Sequence, residues 1–200
     1  MDRVTVRMAT RADREAAARL VKRARRVFLS WEAINMKGLP ETPAFWAAWA
    51  GRRFLGFLFC LYRRPSGAWL GGVGLADTWV IESALKALLP PAMETLAREG
   101  IPRLNFMGNE RWLLEPLQRS WGFKFRTSIV TYMKRGGEIP LQGNREVEIR
   151  RALPEDVPAI EEVDRQAFAP IWRYDARTFA ELIGEMSSFT LALLLSLIHI

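Results

Sequence analysis

The 200-residue chain contains a single cysteine, Cys60, and a single histidine, His199. One thiol excludes an intrachain disulfide, so a reducing compartment, the cytoplasm, is the expected setting. With so little thiolate and imidazole, zinc sites of the usual ligand type and serine–histidine triads have almost nothing to be built from, and no metal is expected. Cys60 lies in the apolar run FLGFLFCLY and reads as a buried strand residue. The first residues lack the charged segment followed by an apolar stretch that marks a secretory signal. At the other end, LALLLSLIHI is apolar but shorter than the roughly 20 residues that span a bilayer, so no membrane partner is expected. This run shows neither periodicity nor turn residues, and residues 194–200 are expected to be a non-native tail.

Half of the composition is apolar, enough for a packed core. Charge is unevenly spread. Residues 1–135 hold 23 Lys/Arg against 11 Asp/Glu, and residues 136–200 hold 6 against 11, which together give the net +7. The excess of positive charge in the first stretch is that of a solvated Arg-rich face, and it also leaves open an electrostatic affinity for RNA or another anion.

The chain begins with VTVRMAT, whose period-two alternation predicts a half-buried strand. Helical spacing then follows in REAAARLVKRARRVF, with Ala17, Leu20, Val21, Ala24, Val27 and Phe28 on one face. Arg19, Lys22, Arg23 and Arg26 form the basic opposite face, the one place where nucleic acid would bind. SWEAINMKGLPETP reads as a loop, and PAFWAAWAG as a short helix opened by Pro43 and closed by Gly51. RRFLGFLFCLYRR is a strand buried on both faces, and AWLGGVGLADTWV is its partner across a PSG turn. ESALKALLPPAMETLAREG is helical up to Gly100, PRLNFMGN is a strand, ERWLLEPLQRSWG is a helix closed by Gly122, and FKFRTSIVTYMKR is a final strand. GGEIPLQGNRE reads as a linker.

After the linker the chain starts over. VEIRRALPEDVPAI, from residue 147, aligns without a gap on VTVRMATRADREAA, from residue 4, an offset of 147 − 4 = 143. Val4/Val147, Arg7/Arg150, Ala9/Ala152, Asp13/Asp156 and Ala16/Ala159 are identical. Both stretches read as a strand followed by a helix, with Asp13 and Asp156 placed to cap the helix start. Such self-similarity is the mark of a duplicated unit.

The order β-α-α-β-β-α-β-α-β, followed by a fresh β-α start, resembles the GNAT superfamily of acetyl-CoA-dependent N-acetyltransferases, with two such domains in tandem. VRMATRADREAAARL, AREGIPRLNF, LQRSWGFKF and IRRALPEDVPAIEEVDRQAFAPIWRY carry the resemblance. It implies an α/β fold of the α+β kind: a mixed, splayed sheet flanked by helices, followed by the first part of a second copy. The domains would be residues 1–135, complete; 136–146, linker; and 147–193, the truncated second copy. The implied activity is transfer of an acetyl group from acetyl-CoA, as co-substrate, to a primary amine of a small molecule, peptide or protein. The alternative is a non-catalytic GNAT-like module that binds a ligand or a partner.

In this family two parallel strands part, and the cofactor's pantetheine arm lies in the gap like an added strand. Its pyrophosphate sits on amides at the next helix start, where a glycine turn allows close approach. The resemblance thereby assigns cofactor contact to the backbone of Thr78, Trp79 and Val80. The matching stretch WVIESALKALLPP departs from the pattern, for it holds no glycine and carries Glu82, whose charge opposes a phosphate. The family also often places a tyrosine as general acid four residues before the glycine of GF; that position is Gln118, which cannot donate a proton in this role. The first domain is therefore expected to be silent, with activity in the full second domain. There Phe168, Trp172 and Tyr174 are expected to line the acceptor groove. No general base is identified; Asp77, Glu82, Glu110 and Glu115 stand near the expected site, and structural ion pairs account for them equally well.

Overall fold

The computed structural model describes residues 3–35, 38–63, 67–129, 147–185 and 190–194. Its internal contacts divide the chain into two compact units, Met1–Lys124 and Phe125–Ile200.

Unit 1 opens with β1 (Val4–Met8), α1 (Arg11–Val21), β2 (Arg26–Leu29), α2 (Trp31–Asn35) and β3 (Phe45–Ala50). It continues with β4 (Arg53–Arg63), β5 (Gly67–Leu75), α3 (Ile81–Arg98), β6 (Leu104–Asn105) and α4 (Arg111–Trp121). The sheet order is β1-β3-β4-β5-β2, and β6 also pairs with β5. Every pairing is antiparallel except that of β5 with β6. Helices cover both faces, giving a mixed α/β fold. Ala17 of α1 packs with Phe45, Phe57 and Phe59 on one side. On the other side, Leu85, Leu88 and Leu96 of α3 and Leu113 and Leu117 of α4 pack with Leu58, Leu70 and Val73 of the sheet. Cys60 is a fully buried strand residue, and burial pushes its thiol up to about 12, so it is inert at neutral pH.

Several elements differ from the sequence expectation. The first helix stops at Val21, where the amides of Arg23 and Ala24 both bond to the Leu20 carbonyl and tighten the last turn. Val27 and Phe28 therefore belong to a strand rather than to the helix, and Arg26 leaves the basic helical face expected for it. The loop expected at SWEAINMKGLPETP contains the short α2. PAFWAAWAG is strand β3 and not a helix: it runs in unbroken register against β1, and the bulge opposite Ala48 and Trp49 leaves the extra residue, Leu55, on β4. Two neighbouring strands and small alanines beneath a helix override the local alanine preference. β6 is only two residues long. No strand occurs over residues 123–129 of the expected final strand; the rest of that stretch, and the expected linker at 136–146, lie outside the described residues.

Glycines fit β4 against β5. A Cβ on Gly72 would stand 2.3 Å from Phe59 Cε1 and 2.9 Å from Leu29 Cδ2, and one on Gly74 would stand 2.3 Å from Phe57 Cε1. The two phenyl rings thus lie over the bare backbone of β5.

Unit 2 comprises β7 (Val147–Arg151), a 3-10 turn (Pro154–Asp156), α5 (Val157–Ala167), a second 3-10 turn (Pro170–Trp172), α6 (Ala176–Glu185) and β8 (Thr190–Leu194). β7 pairs antiparallel with β8, and Ala152, Val157, Phe179 and Ile183 form a small core. Leu194, the first residue of the expected tail, pairs with Val147; residues 195–200 lie outside the described residues.

The same clasp closes the strand-to-helix corner of each unit. In unit 1, Arg7 Nη2 donates to Asp13 Oδ1 at 2.9 Å and the Thr10 amide to Asp13 Oδ2 at 2.8 Å. In unit 2, Arg150 meets Asp156 with two bonds of 2.7 Å, and the Leu153 amide donates to Asp156 Oδ2 at 2.8 Å. Thr10 adds a capping box, and the Trp49 indole N–H donates to Asp13 at 2.8 Å. Burial pushes the Asp13 carboxyl up, but the Thr10 and Trp49 hydrogen bonds and the Arg7 charge outweigh it and hold it below its ordinary value. Hydrogen bonds from Arg150 and the Leu153 amide lower Asp156 to about 2.

Two outcomes follow for stability. Gly72→Ala forces the Phe59 ring to move and is expected to cost about 1–3 kcal/mol in urea denaturation, with Phe59→Leu restoring part of the loss. Because the Asp156 carboxyl titrates lower folded than unfolded, its contribution is fully present above about pH 4. It is lost as pH falls toward 2, so Asp156→Asn is expected to remove that part of the acid transition seen by circular dichroism.

Candidate functional site

The place in unit 1 with the geometry of a ligand site is the gap where β5 and β6 part. The two parallel strands share only Ala68/Leu104 and Trp69/Asn105, after which β5 continues alone to Leu75. The α3 crossover between them starts on the same side, so that strand ends, a helix start and the gap coincide.

The open edge of β5 is taken by β2. Arg26, Val27, Phe28 and Leu29 face Leu75, Gly74, Val73 and Gly72, and the Ser30 amide donates to the Gly71 carbonyl at 2.8 Å. Phe28, 3% exposed, sets its ring edge-on to Phe106 with centroids 4.9 Å apart, bridging from β2 to the segment after β6.

The residues assigned to cofactor contact lie at the start of α3. Thr78 is exposed in the turn before the helix. Trp79 is 8% exposed and packs in the main core; its amide bonds the Ala76 carbonyl at 2.9 Å, and its own carbonyl accepts from Arg26 Nη1 at 3.0 Å. Val80 caps α3 without a side-chain hydrogen bond, and its carbonyl accepts from Ala84. Glu82 stands in the first helical turn, where its charge suits the helix dipole and opposes an anion.

The candidate carboxylates are spread out. Asp77 Oδ1 accepts the Arg25 amide at 3.1 Å, and Glu115 faces Arg119 at 3.9 Å on α4. Glu110, the N-cap residue of α4, keeps Oε2 buried with no hydrogen-bond partner among the described residues, and a Cβ on Gly108 would stand 2.5 Å from it. Gln118 is exposed on α4. Among the described residues no group of three His, Cys, Asp or Glu side chains is arranged to hold a metal, and no helix is long and apolar enough to cross a membrane.

In unit 2 the three groove candidates diverge. Tyr174 joins the core, its ring edge-on to Phe179 at 5.8 Å and its amide donating to the buried Asp164 at 3.1 Å. Phe168 is 52% exposed, and Trp172, at the end of the second 3-10 turn, is half-buried.

Sequence reasoning missed β2, the element that decides the state of the gap. Its signal was present: four basic residues in the five from Lys22 to Arg26 interrupt the helical face, and three good strand formers follow.

No family model and no curated protein matches the chain. Solved structures do. The aminoglycoside N-acetyltransferase AAC(6')-Iy in complex with CoA aligns over 68% of this chain and 97% of its own, with a TM-score of 0.51 and 14% identity. The same enzyme with a bisubstrate analogue, CoA-S-monomethyl-acetylneamine, gives a TM-score of 0.50 over 67% of this chain, also at 14% identity. A GCN5-related N-acetyltransferase from Kribbella flavida aligns over 96% of this chain and 53% of its own, with a TM-score of 0.59 and 15% identity. The chain thus spans about half the length of that protein. The fold is that of the GNAT acetyltransferases: a mixed sheet with helices on both faces and a gap between two parallel strands.

Trp79 is a core residue in this setting. Trp79→Ala is expected to cost about 3–5 kcal/mol of unit 1 stability in chemical denaturation.

Proposed function

We propose that the chain is part of a GNAT-type N-acetyltransferase that carries the fold twice, with a silent first copy and with acetyl transfer to a primary amine performed by the second copy, of which unit 2 is the opening part. The observation that carries this reading is the repeat itself. Unit 2 follows the order of the opening of unit 1 near the 143-residue offset found in the sequence, without a strand for β2: β7 answers β1, α5 answers α1, α6 answers α2, and β8 answers β3. The Arg–Asp clasp recurs with it. Counterparts of β4 through α4, which form the gap in unit 1, are absent from the described residues of unit 2.

In the proposed reaction the neutral amine attacks the thioester carbonyl of acetyl-CoA. The new C–N bond forms as the C–S bond breaks, the nitrogen gives up one proton and the departing sulfur takes one up, leaving an amide and free coenzyme A. Backbone donors along a strand edge hold the carbonyl and stabilise charge as it builds on oxygen.

A second reading, a non-catalytic GNAT-like module that binds a ligand or partner, draws support from the occupied β5 edge, Glu82 and Gln118. One experiment separates the two. Acetyl-CoA is titrated calorimetrically into the 200-residue chain and into a longer chain that continues along its native gene, and thiol release is followed with a panel of primary amines. Binding and amine-dependent thiol release by the longer chain alone is the expected result. A folded longer chain that does neither favours the non-catalytic module, and tight binding by the 200-residue chain overturns the silent first copy.

A further inference from the structure

Ligands of open α/β sheets bind in the crevice outside the carboxyl ends of parallel strands, where neighbouring strands diverge. In unit 1 that crevice begins beyond Trp69 and Asn105, and it would leave residues 71–75 of β5 as a bare strand edge. Such an edge recruits an extended ligand through its amides and carbonyls. Here it is satisfied from within the chain. The Ser30–Gly71 bond fixes the ladder phase, and antiparallel alternation then makes Phe28/Val73 and Arg26/Leu75 the hydrogen-bonded pairs.

We propose that residues 24–30 are a resident plug, a strand of the chain itself seated where a strand-like ligand would lie, and that the equivalent segment of unit 2 is free of that role. The proposal rests on the acetyltransferase reading of the fold and deepens it by naming what keeps the first copy silent. Both ends of the plug are fastened: the Arg25 amide to Asp77 and the Arg26 guanidinium to the Trp79 carbonyl at one end, Ser30 to Gly71 at the other. Its middle is wedged, because the Phe28 ring fills the space between β2 and Phe106, and a Cβ on Gly108 would come within 3.0 Å of it.

The repeat supplies the contrast. Val27, Phe28 and Leu29 correspond, at the offset of 143, to Pro170, Ile171 and Trp172. Those residues form a 3-10 turn opened by a proline, which has no amide to give to a ladder. Neighbouring features of the same unit point the same way, since the Phe168 carbonyl is held locally by Arg173 Nε at 2.8 Å and the Tyr174 amide by Asp164. The segment that plugs unit 1 is thus folded back on itself in unit 2.

The test uses the 200-residue chain, with amide hydrogen exchange and coenzyme A as the probe. In the wild type the Val73 and Leu75 amides, which face β2, are expected to be protected, and coenzyme A is expected to leave their resonances in place. Phe28→Pro removes both ring and ladder donor. It is expected to speed exchange at Val73 and Leu75 by about tenfold or more while Leu88 and Leu89 stay protected, and to let coenzyme A shift the Val73 and Leu75 amides. Equal shifts in wild type and variant overturn the proposal, as does an exposed edge that ignores coenzyme A. If Phe28→Pro does not fold, Phe28→Ala decides: the same two responses support the plug, and their absence overturns it. These outcomes are read on unit 1 amides alone, so they stand apart from any failure of the longer chain to transfer acetyl groups.

Discussion

Unit 1 is organised around a single constraint, that a β-strand has only two edges. β5 is buried along all nine residues and gives one edge to β4 over its full length. Its other edge is divided, with Ala68 and Trp69 going to β6 and Gly72 to Leu75 going to β2. The parallel half creates the divergence that defines the site, and the antiparallel half fills it. Bare glycines make the arrangement possible, since Phe57 and Phe59 lie over the β5 backbone at a distance that no side chain on Gly72 or Gly74 would permit.

The two units share a corner more firmly than they share a core. A carboxylate six residues after an arginine, accepting the arginine side chain and the amide three residues before it, fixes the exit of a strand and the entry of a helix together. That corner is local in sequence, and it recurs in unit 2, where few elements surround it among the described residues. The cores differ accordingly. Unit 1 buries long runs of Leu and Phe from both faces of its sheet, whereas unit 2 closes over four residues and leaves Ile149 and Val163 exposed at 72% and 66%. Val6, the counterpart of Ile149, is covered in unit 1 and packs against the main core.

What was legible in the sequence depended on the range of the interactions involved. β4, β5, α3 and α4 were readable because continuous apolar runs, glycine stops and helical spacing are local signals. The carboxylates Asp13 and Asp156 at the helix starts were readable for the same reason. β2 and β3 were not: helical apolar spacing runs on past Val21 through Val27 and Phe28, and Pro43 and Gly51 bracket β3 like the ends of a helix. Both became strands because of partners distant in sequence, β2 through residues 72–75 and β3 through β1 and β4. The candidate site shared this limit. Trp79 and Val80 lie at the strand-to-helix junction, where the Trp79 carbonyl is taken by Arg26, a contact across 53 residues that no local signal announces.

The occupied edge also bears on one of the two departures in the family pattern. An anion at a helix start needs bare amides and a glycine turn, and both cost helix stability when nothing is bound. With β2 seated on β5, a strand-like ligand has no free edge along residues 72–75. The sequence at the start of α3 favours the helix itself. Glu82 in the first turn meets the positive end of the dipole, an interaction of about 0.3–1 kcal/mol that a phosphate site would forgo. Gln118 is exposed on α4. On the proposal that residues 24–30 plug the gap, Glu82 stands at a helix start that has no anion to hold.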